Sequence, residues 1–186
     1  MKRNLTRLAL LAALAAPAAH AVEYRSVLPQ QSSIHFEFRQ MGVPVKGGFK
    51  RFTTQMLFDP AKPEAARAQI EIDLASIDAG SSEADEESAG KLWFNRSAYP
   101  KATFVSSQVR ALGNNRYELR GTLTLKGRSR EMVVPVIYTP GKNAATFDGG
   151  FVLKRLDFGI GEGMWADVAT VANEVRVRFR IAATGK

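Results

Sequence analysis

The sequence contains no cysteine. Disulfide staples, thiolate metal centres, redox pairs and cysteine nucleophiles are excluded together. Histidine is almost as scarce. Of two in the chain, His20 lies among the first 21 residues and only His35 follows, so a multi-histidine metal site is excluded and only carboxylate sites survive. Acid is outnumbered, with 18 Asp and Glu against 26 Lys and Arg for a net charge of +8. Setting aside Lys2, Arg3 and Arg7 of the acid-free N-terminus leaves +5, a modest balance that does not point to nucleic acid. What is present suffices for one globular domain: 186 residues, 45% hydrophobic and 24% charged.

Residues 1–21 read as a cleaved signal peptide. Lys2, Arg3 and Arg7 precede the apolar run Leu8 to Ala16, and Ala19-His20-Ala21 supplies the small-x-small cleavage pattern. The apolar run before Pro17 is too short to span about 30 Å of hydrocarbon. The mature domain is expected over 22–186, starting at Val22, and no cysteine follows to carry a lipoprotein anchor. Release into a bacterial periplasm follows as the expectation.

Beyond Val22 the dominant signal is period two. Ile34, Phe36 and Phe38 alternate with His35, Glu37 and Arg39, and Ile70, Ile72 and Leu74 with Gln69, Glu71 and Asp73. The same holds for Tyr117 to Leu125, with Gly121 in the apolar register, and for Val175 to Ile181 with Arg176, Arg178 and Arg180 between. Such runs have one wet and one dry face and predict β-strands. Further strands are predicted over Val45 to Phe58, Thr103 to Val109, Met132 to Tyr138 and Phe147 to Leu153. Turn signals such as Gly113-Asn114-Asn115 and Lys126-Gly127 separate them in hairpin fashion. The acidic stretch Ser81 to Lys91 breaks the pattern and predicts a short helical excursion, near residues 81–96, capped by Ser81 or Ser82. The fold class is all-β, a single eight-stranded antiparallel barrel.

The order of motifs resembles the YceI family of bacterial periplasmic, lipocalin-like proteins that bind polyisoprenoid lipids. The resemblance is carried by Ser33 to Phe38, Val45 to Phe52, Ile70 to Ile77, Lys91-Leu92-Trp93-Phe94 with Tyr99 to Phe104, Gly121 to Gly127, and Arg155-Leu156-Asp157-Phe158-Gly159-Ile160. It implies a lipocalin-like barrel around a long apolar tunnel that takes an isoprenoid chain, such as a quinone tail or polyprenyl carrier, with no covalent cofactor and no catalytic residues. Two departures stand out. Where many relatives carry a His after the first strand this chain reads Arg39-Gln40-Met41-Gly42, and the acids Glu83, Asp85, Glu86 and Glu87 replace a basic residue and an acid.

Under that resemblance, tunnel and entrance residues are expected among Phe36, Phe38, Met41, Phe49, Phe52, Phe104 and Phe158, with Trp93, Phe94, Tyr99, Met164 and Trp165 flanking the non-strand segments. Dry-face aromatics also serve simply as core, so the latter five either line an entrance or plug the barrel end. A long tail matters for affinity: each CH2 contributes about 0.8 kcal/mol, against about 4 to 15 kcal/mol lost on association. Arg176, Arg178 and Arg180 read as a solvated face keeping an edge strand unpaired, or as a transient contact with an anionic membrane surface or membrane enzyme. The run Gly159 to Gly163 lacks the setting of a phosphate loop and reads as a flexible rim. A homodimer through exposed edges stays open. The alternative from another class is a secreted carbohydrate- or ester-hydrolysing enzyme using wet-face carboxylates, Glu71 with Asp73 or Asp78 with Glu83. An eight-stranded membrane barrel would invert the alternation, polar inside and apolar outside.

Overall fold

The computed structural model describes residues 22–185, and the leader predicted over residues 1–21 lies outside them. The strands are β1 (Tyr24–Val27), β2 (Ser33–Gln40), β3 (Val43–Phe49), β4 (Phe52–Leu57), β5 (Arg67–Asp73), β6 (Ile77–Asp78), β7 (Lys101–Gly113), β8 (Arg116–Leu125), β9 (Arg128–Thr139), β10 (Ala145–Lys154) and β11 (Glu174–Gly185). One α-helix, α1 (Ser82–Ala89), stands between β6 and β7.

The strands form one curled antiparallel sheet, and its register shows that several of them are halves of longer strands. Both β1 and β2 pair with β11, through Val27 with Ala183 and Phe36 with Val177. They are one strand interrupted by a 3-10 turn at Pro29–Gln31. Likewise β3 and β4 are one strand broken at Lys50 and Arg51, because β5 pairs with β4 and its continuation β6 pairs with β3. Ile34 opposes Phe49, and the bridge between Tyr24 and Phe58 continues that pairing at the far end. Counted this way the eight expected strands form an up-and-down barrel that closes on itself. The run expected over Val45 to Phe58 contains the corner, while β1 and β6 are too short to show alternation. β11 is flanked by β10 and β2, so the arginine stripe expected on an edge strand lies on an interior one. Closing a sheet removes its edges.

The polarity is apolar inside and polar outside. Arg176, Arg178 and Arg180 are exposed, whereas Leu123, Val134 and Ile181 are buried. This is the reverse of a membrane barrel. At one end Tyr24, Phe58, Tyr117, Tyr138 and Phe147 pack together, with Phe58 edge-on to Tyr117 and Phe147 at 5.1 Å, a preferred aromatic arrangement. The Tyr138 hydroxyl donates to that of Tyr24 at 3.0 Å, tying β9 to β1.

The other end carries the two long connections, residues 79–100 and 155–173. Ser81 caps α1, its Oγ accepting from Ala84 N–H at 3.2 Å, which satisfies one of the orphan donors of the first turn. Gly161 and Glu162 N–H both donate to Leu92 O, at 2.8 and 2.9 Å, joining the two connections.

Candidate functional site

Inward-facing residues of a barrel fill it unless something holds them against the wall. Here three inward Phe rings lie over a glycine of the neighbouring strand: Phe36 over Gly47, Phe104 over Gly121 and Phe179 over Gly149. A Cβ on any of these glycines would collide with the ring. The rings therefore lie flat and the interior stays open.

Two apolar cavities result. A chamber of about 480 Å³ lies at the α1 end, and a smaller one of about 120 Å³ reaches toward the aromatic end. They share Ile34, Ile72, Leu123, Phe151 and Val177, which form a waist between them. Polar side chains enter the chamber lining only toward its mouth, as Gln40, Glu83, Glu87, Ser88 and Arg155. Two buried polar atoms on residues lining the interior, Trp93 Nε1 and Thr54 Oγ1, have no hydrogen-bond partner among the described residues.

Arg155 organises the mouth. It is 2% exposed, and all five of its N–H groups donate to main-chain carbonyls: Nε to Ala172 at 3.1 Å, Nη1 to Ile160 and Gly161 at 2.8 and 2.7 Å, and Nη2 to Trp165 and Val171, both at 2.7 Å. The guanidinium carbon stands 5.9 Å from the Trp93 ring centroid, a cation–π geometry. Burial pushes its pKa down from the ordinary arginine value. The Gly159 to Gly163 run, expected as a flexible rim, is thus pinned. Lys126 Nζ adds bonds to Gly159 O and, at 3.0 Å, to Glu162, while Arg128 meets the other Glu162 oxygen at 2.9 Å. The hydrogen bond from Lys126, with Arg128 adding its charge, holds the Glu162 carboxyl below the usual range. Trp165 Nε1 donates to Glu87 at 2.9 Å, fixing the ring beside α1.

Of the residues expected at the tunnel and entrance, the structure gathers Phe36, Phe38, Phe49, Trp93, Phe94 and Trp165 around the chamber and sets Phe104 on the smaller cavity. Five lie elsewhere. Met41 is exposed at the β2–β3 turn and Met164 projects into solvent. Tyr99 packs outside, against Gly127. Phe158 is buried with Leu74 and Leu125 beneath the chamber. Phe52, beyond the corner, packs on the aromatic end and lines a surface cleft instead. The sequence marks Arg155 only as part of a motif, because its role depends on carbonyls that only the folded 155–173 connection assembles.

Three of the four carboxylates of the hydrolase alternative, Glu71, Asp73 and Asp78, meet cations. Glu71 Oε1 lies 2.6 Å from Lys101 Nζ, and Asp73 Oδ2 lies 2.8 Å from Arg51 Nη2. The Ala75 N–H, then Arg51, holds Asp73 below the ordinary range, and Lys50 does the same for Asp78. Glu83 is also lowered, by main-chain and serine donors at the start of α1. A general acid needs the opposite shift.

A closed up-and-down barrel with an apolar interior chamber, opening beside a helical excursion, defines the lipocalin-like class of β-barrel. The chain belongs to the family of the YceI-like domain, whose profile matches residues 26–183. It is similar to Burkholderia cenocepacia BcnA, with 42% identity and a TM-score of 0.83 over 86% of this chain and all of that one. A mutant Campylobacter jejuni YCEI protein with a monobromobimane guest matches at 25% identity and a TM-score of 0.70, over 76% of this chain and 85% of that one. A UPF0312 protein of Azotobacter vinelandii is 32% identical over 86% of this chain and 88% of its own length. The fold is also shared with a polyisoprenoid binding domain from Saccharophagus degradans, at 16% identity and a TM-score of 0.66 over 90% of this chain and all of that domain.

Proposed function

We propose that the protein is a periplasmic carrier that holds a polyisoprenoid lipid, quinone-like or polyprenyl, in its barrel for transport or storage and performs no chemistry on it. The observation that carries this reading is the two-part apolar interior kept open by flattened Phe rings. A chamber that continues past a waist into a smaller cavity suits a chain better than a compact ligand, and chain burial supplies affinity without any reacting group. The bound lipid is then the only cofactor-like group required. Away from the chamber lining, at the β2–β3 turn and in the 155–173 connection, Met41, Val43, Met164 and Val168 are 69%, 63%, 77% and 54% exposed. Exposed apolar side chains on these loops fit a transient approach to a membrane surface, from which so insoluble a cargo has to come.

The test is native mass spectrometry of protein released from the periplasm without detergent, followed by organic extraction. A stoichiometric prenyl-tailed adduct is expected. Protein that carries none, and takes up neither added quinones nor polyprenols, would refute the carrier reading.

A further inference from the structure

The barrel wall has a break on the side opposite β8. Between β1 and β2 the first strand leaves the sheet at Pro29–Gln31, and opposite it the β3–β4 corner leans toward β5 and β6. Lys50 N–H donates to Ser76 O and Arg51 N–H to Ser76 Oγ, both at 2.9 Å, and Asp73 N–H donates to Arg51 O at 3.1 Å. Among the described residues the chain from β4 to Phe58 makes backbone hydrogen bonds to the first strand only through the Tyr24–Phe58 bridge. A cleft of about 650 Å³ opens between the two parted segments.

Its floor is apolar and its walls are charged. Phe49 lines both the cleft and the large chamber, and Ile34 lines the cleft and both interior cavities. These two side chains are the shared wall between the cleft and the interior. Around them stand Lys50, Arg51 and Lys101, with the imidazole of His35, against the carboxylates of Glu71 and Asp73. Each of the three cations has a carboxylate partner, and all three pairs are exposed: Lys50 and Asp78 are 67% and 49% open, Arg51 and Asp73 63% and 40%, Lys101 and Glu71 56% and 35%. Pairs this exposed are held weakly and exchange partners readily. The chamber mouth has the opposite character, with Glu83 and Glu87 in its lining and Arg155 as its one cation, every N–H of which is committed to a carbonyl.

We propose that this cleft is a second, lateral opening of the tunnel and the site for an anionic head group, a phosphate or carboxylate carried on an apolar chain that enters past the Ile34–Phe49 pair, where the β2–β3 ladder ends. The inference rests on the reading of the interior as a lipid tunnel and adds to it a rule of sorting: uncharged heads at the acidic mouth, anionic heads at the cleft, whose exposed cations exchange a carboxylate partner for the ligand.

Farnesol, farnesyl phosphate and inorganic phosphate, titrated calorimetrically into the mature chain, separate tail from head. Farnesyl phosphate is expected to bind about tenfold more tightly than farnesol, the scale of two exposed charge contacts. Arg51→Gln with Lys101→Gln removes most of that preference. Arg116→Gln with Arg120→Gln, on the outer face of β8, removes the same net charge and leaves the preference in place. A preference that survives the cleft variant, or falls equally in the β8 variant, overturns the proposal. So does inorganic phosphate binding as tightly as farnesyl phosphate, which would make the cleft a free-anion site. If neither prenyl compound binds, the carrier reading itself fails, and that result differs from a lost preference.

Discussion

Among the described residues Arg155 makes more side-chain hydrogen bonds than any other. A buried guanidinium without a carboxylate partner is tolerable only because five carbonyl dipoles replace its hydration, and those carbonyls come from residues 160–172. Cation and connection hold each other in place. Arg155→Met leaves five buried or half-buried carbonyls without their donor, so a loss of about 3 to 5 kcal/mol is expected in urea unfolding. Arg155→Lys offers three donors without the planar fork and recovers only part of it. A Met variant within about 1 kcal/mol of the parent would mean that water or rearranged backbone satisfies the carbonyls. Gly161 belongs to the same unit: at φ +72 it occupies left-handed backbone, and a Cβ there would collide with Nη1 of Arg155.

At the level of strands, the pairing of ring and glycine decides whether this barrel is filled or hollow. Gly149→Ala places a methyl against the Phe179 ring and 2.8 Å from Pro135 O. The ring has to leave the wall for the lumen, at about 1 to 3 kcal/mol of overpacking strain. Native mass spectrometry should show severalfold lower lipid occupancy, and Phe179→Leu in the same chain should restore it. Unchanged occupancy in Gly149→Ala would show that the flattened ring is not what keeps the lumen open.

Much of this level was legible in the sequence, and the misses have physical causes. β2, β5, β8 and β11 alternate over enough residues to declare a dry face, and Gly121 already stood out in the apolar register. The β3–β4 corner was hidden because both sides of it alternate. The phase nevertheless slips there, with Val45 and Phe49 inside before it and Phe52, Thr54 and Met56 after it. β6 has two residues, and its identity as a strand comes entirely from β3. Met41 and Met164 looked like entrance residues because apolar side chains in loops resemble a rim. Their distance from the lining is set by loop geometry that periodicity does not encode.

Closure of the whole barrel depends on its aromatic end, where β1 crosses to meet β4 and Tyr138 of β9 reaches Tyr24. Burial, reinforced by that hydrogen bond, pushes the Tyr138 hydroxyl well above the ordinary tyrosine pKa, and burial also raises Tyr117. Below about pH 10, the ordinary tyrosine value, folded and unfolded chains both keep these protons and the contribution to stability is complete. Above it the unfolded chain releases them while the folded barrel still holds them, so stability falls as pH rises. The carboxylates act in the other direction. Asp73, held low first by the Ala75 N–H, and Glu162, held low first by Lys126, stabilise the fold above the ordinary carboxylate range and lose that effect as pH falls through their depressed values. Thermal melts between pH 3 and 11 should therefore decline at both ends, for different residues. Tyr138→Phe separates the two limbs: it removes one hydroxyl hydrogen bond, about 1 kcal/mol at neutral pH, and should flatten the alkaline decline while leaving the acid limb parallel to the parent. An alkaline limb as steep in Tyr138→Phe as in the parent would assign the decline to groups away from the closing strand.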